Sequence, residues 1–159
     1  MNARYRGHSL GGIGALGAFS FHETKNFSGS IGGALCVNEE QLIERAEIIR
    51  DKGTNQQQFC RGLVDKYSWI DIGSSYGASE LNCAFLWGEL EQMDRIADRR
   101  AAIHERYRCR LQPLEQQERL RLPHAPDECM GNHHLFYILL PDTTTRDRLM
   151  HALREDGIV

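Results

Sequence analysis

Ala18-Phe19-Ser20-Phe21-His22-Glu23-Thr24-Lys25-Asn26 carries the reading of this chain. An apolar run ends at Phe21 and polar residues take over. A glycine-broken turn follows at Ser28-Gly29-Ser30-Ile31-Gly32-Gly33. Residues 16–21 and 31–37 flank the polar stretch, and Ile31, Leu35 and Val37 supply β-type character. The spacing predicts two short strands with a loop between them. Lys25 then falls where a strand ends and a loop begins, a common place for a reactive side chain on a rigid scaffold. Ser20 can turn its hydroxyl toward the same space.

A lysine beside a turn is, taken alone, usually a solvated surface residue. Two features favour chemistry here. Ser20 and His22 share the segment, and the apolar strand that feeds it would bury the ammonium. Burial favours the uncharged amine, the form that attacks an aldehyde. An amine and a hydroxyl held close suit pyridoxal phosphate. The amine condenses with the aldehyde, and the hydroxyl bonds the phosphate.

The remaining composition narrows the class. A chain of 159 residues holds one domain, or one domain and part of another. A formal net charge of -3 gives no electrostatic case for nucleic acid. No apolar stretch of about 18 residues is present, so no membrane-spanning helix is expected. Met-Asn-Ala-Arg-Tyr-Arg-Gly has no apolar segment behind it and is not a secretory signal. Cys36, Cys60, Cys83, Cys109 and Cys129 are scattered, with no Cys-x-x-Cys pair. That fits reduced thiols in a cytoplasmic protein better than a disulfide framework. The chain opens on a turn-like, glycine-rich segment. It closes on Gly157-Ile158-Val159, which reads as a helix stop followed by the start of a strand. A fragment is expected.

Beyond the strands, Asn38 and Gln41 read as the capping box of a helix. Leu42, Ile43, Ala46 and Ile49 form its apolar stripe, and Gly53 ends it. Residues 53–76 are polar and without period. So long a connection is usually functional or disordered, and Phe59, Tyr67, Trp69 and Tyr76 argue against disorder. It is a candidate for ligand contacts, or for packing on a neighbouring subunit. One long helix is expected from about Ser79 to Leu111, with Leu86, Leu90, Met93, Ala97, Ile103 and Tyr107 at helical spacing. Pro113, Pro123 and Pro126 would then break the chain. Residues 134–140 read as a strand, and Thr144 with Asp147 opens a last helix.

Other motifs carry less. Gly12-Ile13-Gly14-Ala15-Leu16-Gly17 matches the dinucleotide fingerprint but runs into a strand instead of a helix, so it reads as a turn. His124, Cys129, His133 and His134 match no tight zinc spacing, and no metal site is expected. Glu89, Glu91, Asp94, Arg95, Asp98, Arg99 and Arg100 are charges on a helix, where opposite signs three or four apart support it.

Phe19 to Asn26 followed by Gly32-Gly33-Ala34 resembles the lysine segment of the DegT/StrS-type sugar aminotransferases. The similarity continues through Arg45 to Asn55, Phe59 to Trp69, Asp71 to Tyr76 and Asn132 to Tyr137. It covers essentially the whole chain. Phe59 to Trp69 and Asp71 to Tyr76 resemble, within that family, members acting on dTDP-4-keto-6-deoxyglucose in enterobacterial common antigen synthesis.

The resemblance implies an α/β architecture: the pyridoxal-phosphate transferase fold of type I, aspartate aminotransferase-like and partial. Residues 1–90 would be the C-terminal part of the large cofactor-binding domain. Residues 91–159 would be a bridging helix and an incomplete small C-terminal domain. Lys25 would hold pyridoxal 5'-phosphate and then carry the proton between carbon and cofactor, and Ser20 would bond its phosphate. The substrate would be a nucleotide-linked 4-keto sugar, with L-glutamate as amino donor. A homodimer is implied, each site completed by the other subunit. Where many members have Gly-x-Asn-x-Arg-Met, this chain has Gly73-Ser74-Ser75-Tyr76-Gly77-Ala78. Ser75 thus stands at the asparagine that reaches the neighbour's phosphate, and Gly77 and Ala78 inherit no role. The family's cofactor aspartate, stacking aromatic and phosphate turn lie upstream of the lysine, and this chain begins after them. The isolated chain is therefore expected to be inactive and to hold the cofactor weakly. The other reading is an inactive, truncated relative serving as a binding or assembly module.

Overall fold

The computed structural model describes residues 1–158, in two compact units, Met1–Met93 and Asp94 onward. The first begins with a minimal hairpin, β1 (Arg4–Tyr5) and β2 (His8–Ser9). Arg6 and Gly7 connect them, both at positive φ, the geometry of a tight two-residue hairpin turn. Next comes the antiparallel pair β3 (Leu16–Ser20) and β4 (Gly33–Val37), in register from Leu16 opposite Val37 to Ser20 opposite Gly33. The strands expected around Lys25 are there, each slightly shorter than its apolar run. The dinucleotide-like glycines do run into a strand, since β3 starts at Leu16.

Asn38 does not cap a helix. Its amide donates to the carbonyls of Gly11 (2.8 Å) and Gly14 (2.7 Å), so it ties the glycine-rich turn to the end of β4. Gln41 bonds Glu39 instead of closing a capping box. The chain makes a 3-10 turn at Glu40–Leu42 before α1 (Ile43–Arg50). Lys52 and Gly53, both left-handed, follow that helix, and the Gly53 amide bonds the Ile48 carbonyl.

Residues 53–76 fold back on α1 and contain a short helix, α2 (Gln56–Cys60), that has no sequence period. Asn55 organises the return: its Nδ2 donates to the Lys66 carbonyl and its Oδ1 accepts from the Ser68 amide. Thr54, 1% exposed, bonds the Asp51 carbonyl. Arg45 pairs with Asp71, and Arg61 with Glu47, across to α1.

The expected long helix is two. In α3 (Glu80–Glu91), Ser79 is the N-cap, its hydroxyl accepting from the Asn82 amide. The chain breaks at Gln92, whose N–H reaches back to Glu89 and Leu90, and α4 (Met93–Gln116) follows. Pro113 lies inside α4, in its last turn, and does not end it. A proline there has no N–H to bond the carbonyl four residues back, at Cys109, and the helix ends three residues later.

In the second unit, β5 (Cys129–Met130) precedes residues 131–138, whose burial alternates along the chain although His133 is left-handed at φ 52. They have the period of a strand but form none. Next to them Leu139 makes an isolated bridge to Arg121. The last helix, α5 (Thr143–Glu155), is capped two residues earlier than Thr144, by Asp142 accepting from the Thr145 amide at 2.8 Å. Gly157 at φ 79 stops it.

Little of this chain is deeply buried. Phe21, Phe27 and Leu120 are the buried hydrophobic residues among those described. Ile72, Leu81, Trp69, Ile31 and Trp87 lie open.

Candidate active site

Residues 21–32 form the loop between β3 and β4. Its neck is closed by backbone bonds: Phe21 donates to the Gly32 carbonyl, and Gly29 donates to the Phe21 carbonyl, both at 2.8 Å. Beneath the neck lie two anchors, Phe21 at 7% and Phe27 at 3% exposure. Burying both fixes the loop's inner side and leaves His22 to Lys25 outward. The glycines here serve close approach more than turning. A Cβ at Gly33 would press on the Phe19 carbonyl, and one at Gly29 would touch Leu86 of α3. Ser30, at φ 69, is the left-handed residue of the loop. Asn82 of α3 adds a bond to the Ile31 carbonyl at 3.3 Å.

Three bonds order the outward part. The Lys25 amide donates to the His22 carbonyl at 2.8 Å, closing a turn that presents the lysine. The His22 amide donates to Ser20 Oγ at 3.4 Å. The Thr24 amide donates to His22 Nδ1 at 3.3 Å. Ser20 and Lys25 are thus joined through His22, a residue whose connecting role the sequence did not announce. The expected burial of Lys25 is not found: it is exposed, because the loop's buried side is taken by the two phenylalanines. Ser20 is exposed as well.

Ser75 lies elsewhere in the unit. It bridges Asp51, and its neighbours Ser74 and Tyr76 bond Ile49 and Arg50 at the end of α1. Among the described residues no hydrogen bond joins Ser75 to the lysine loop.

A cavity of about 780 Å³ opens between the β3–β4 pair and α1. Leu16, Phe19, Leu35, Val37, Ile43 and Ile49 line it, with Arg45, Glu47 and Arg50 at its polar side. Lys25, Ser20 and Ser75 are not among its lining residues. In the second unit His104 lies 4.8 Å, ring to ring, from both His133 and Phe136, and Arg100 bonds the carbonyls of His133 and His134. Burial, with the charge of His133 beside it, lowers the His104 pKa. No group of three or more His, Cys, Asp or Glu able to hold a metal occurs among the described residues, and all five cysteines are free. No helix among them is long and apolar enough to cross a membrane.

The lysine loop offers one primary amine, that of Lys25, and the strand that feeds it ends on the hydroxyl of Ser20; Thr24, Ser28 and Ser30 add hydroxyls within the loop. Ser20 Oγ already accepts a bond from His22, so its own proton is left to donate. That set fits a carbonyl compound that also carries an anion: the amine takes the carbonyl carbon and the hydroxyl the anion.

The fold recurs in solved aminotransferase structures. DesV of S. venezuelae, described in complex with a ketimine intermediate, superposes with a TM-score of 0.80 at 29% identity, covering 99% of this chain and 38% of that one. The aminotransferase from Psychrobacter cryohalolentis gives 0.86 at 21% identity, covering 99% and 43%. The sugar aminotransferase CalS13 from Micromonospora echinospora gives 0.80 at 21% identity, covering 98% and 40%. The chain therefore spans about two fifths of the length of these proteins. Its fold is part of the type I fold of the pyridoxal-phosphate transferases. Residues 1–159 match the DegT/DnrJ/EryC1/StrS aminotransferase family throughout, and the chain belongs to that family.

Proposed function

We propose that this chain is the lysine-bearing part of an enzyme that moves an amino group onto a keto sugar, with pyridoxal 5'-phosphate held at Lys25. The observation that carries the reading is the loop itself: Lys25 and Ser20 on one closed turn, joined through His22. Membership of an aminotransferase family over the whole length supports it. Residues 1–90 belong, in this reading, to the large domain, and residues 91–159 are a bridging helix and part of the small one.

When bound, the cofactor supplies an electron sink for the carbon that gains or loses the amine. The chain's own residues do the rest. Lys25 Nζ holds the cofactor's carbonyl carbon and later moves the proton at the substrate carbon. Ser20 donates its hydroxyl proton to the phosphate. Ser75 serves the phosphate of a second subunit in a homodimer, and the exposed apolar residues of this chain supply surface for that subunit and for the remaining fold.

The substrate in this reading is dTDP-4-keto-6-deoxyglucose, converted to dTDP-4-amino-4,6-dideoxygalactose with L-glutamate as donor. The enzyme works in the cytoplasm and its product is a precursor of cell-surface polysaccharide, as in enterobacterial common antigen synthesis. Resemblance of residues 59–69 and 71–76 to such members supports this choice. The 159-residue chain alone is inactive and holds the cofactor weakly.

The test is Lys25→Ala in a longer protein that supplies the rest of the fold. Cofactor absorbance and amino transfer are both lost, while the sugar nucleotide still binds. Amino transfer that survives the substitution overturns the reading.

A further inference from the structure

We propose that His22 is the positioning residue of the lysine loop and acts as a neutral ring with its lone pair on Nδ1. The proposal rests on the reading of Lys25 as the cofactor lysine. Three groups of this one residue reach three neighbours. Its amide donates to Ser20 Oγ at 3.4 Å, its carbonyl accepts from the Lys25 amide at 2.8 Å, and its Nδ1 accepts from the Thr24 amide at 3.3 Å. A backbone amide can only donate, so Nδ1 is the unprotonated nitrogen and the ring proton sits on Nε2. The Thr24 hydroxyl, 3.1 Å from the same Nδ1, then shares that single lone pair with the amide as a second donor.

The consequences reach both functional side chains. Nδ1 accepting from the amide two residues on is the bond that an asparagine or aspartate makes in an Asx turn. It fixes the bend from which Lys25 projects. The bond to Ser20 fills one lone pair of that hydroxyl and leaves its proton for an anion. One residue therefore sets the direction of the amine through its side chain and the donor role of the hydroxyl through its backbone. The mechanism above does not otherwise use it.

Two measurements test this. In the 159-residue chain, nitrogen NMR of the neutral His22 ring shows the Nε2–H tautomer; a proton on Nδ1 overturns the proposal. In a longer protein supplying the rest of the fold, His22→Gln and His22→Phe lower the rate of amino transfer about tenfold or more while cofactor absorbance persists, the scale expected of a misplaced reacting group. His22→Asn, whose Oδ1 replaces Nδ1, restores most of it, since glutamine's oxygen stands where Nε2 was. Equal rates for asparagine and glutamine overturn the proposal. The outcomes separate from those of the functional reading. Amino transfer without Lys25 defeats that reading and leaves the tautomer result standing, whereas a proton on Nδ1 with Lys25 essential defeats only the role given to His22.

Discussion

Gly73 lies against the backbone of Gly53 with no room for a side chain on either. A Cβ on Gly73 would overlap the Gly53 amide and stand 2.6 Å from the Ile49 carbonyl, and a Cβ on Gly53 would overlap the Asp71 carbonyl. The contact docks the segment bearing Ser75 on the end of α1. Gly73→Ala is therefore expected to destabilise by about 1–3 kcal/mol, the range for overpacking. Gly53→Ala costs more, because φ is +75 there and an alanine adds left-handed strain of about 1 kcal/mol. Urea unfolding checks both, and an unchanged midpoint for Gly73→Ala contradicts the packing described.

Asn38 holds the glycine-rich turn through two carbonyls. Asn38→Ala removes both bonds at an exposed site, where water replaces them, so the expected loss is only about 0.5–1.5 kcal/mol. Hydrogen exchange should quicken first around residues 11–17. Exchange that quickens only at the start of α1 would restore the capping role the sequence pointed to.

Asp51 gives an acid-sensitive contact. The Arg50 guanidinium forks onto its carboxylate at 3.0 and 3.1 Å, Gln57 adds a bond at 2.8 Å, and burial only partly opposes them. Its pKa falls below the ordinary aspartate range. The unfolded chain then takes up this proton more readily than the folded one. The stabilisation is full above the ordinary aspartate range and is lost as pH falls through the lower, folded value. Asp51→Asn should flatten the acid limb of the stability curve and leave its shape near neutrality. An acid limb of unchanged slope contradicts this.

Gly29 is pressed between the loop and α3. A single methyl there makes ordinary contact with the Leu86 side chain at 3.4 Å and the Phe21 side chain at 3.6 Å. Gly29→Ala should fold normally. Gly29→Val, with two more carbons, should push the loop away from α3, lower the thermal midpoint and loosen Lys25. Equal midpoints for the two variants would show that α3 does not support the loop.

The lysine loop was legible because two apolar runs with β character flank a polar stretch bounded by glycines. The break at Gln92 was not, since Leu86, Leu90, Met93 and Ala97 keep helical spacing across it. Residues 134–140 kept a strand's alternation, but a strand needs a partner edge, which no single segment encodes. Five residues of α2 are too few to show a period. Lys25 and Ser20 are candidates by residue type, and the structure joins them through His22. His22 was not readable as their link, because its role lies in backbone bonds across a turn. Nor was the exposure of Lys25, which follows from Phe21 and Phe27 both turning inward.

The central claim is that one amine carries the chemistry. Borohydride reduction of the cofactor-loaded longer protein, followed by peptide mapping, tests it most directly. The cofactor label should be found on Lys25. Label on Lys52, Lys66 or any other amine, with Lys25 unmodified, would contradict the account.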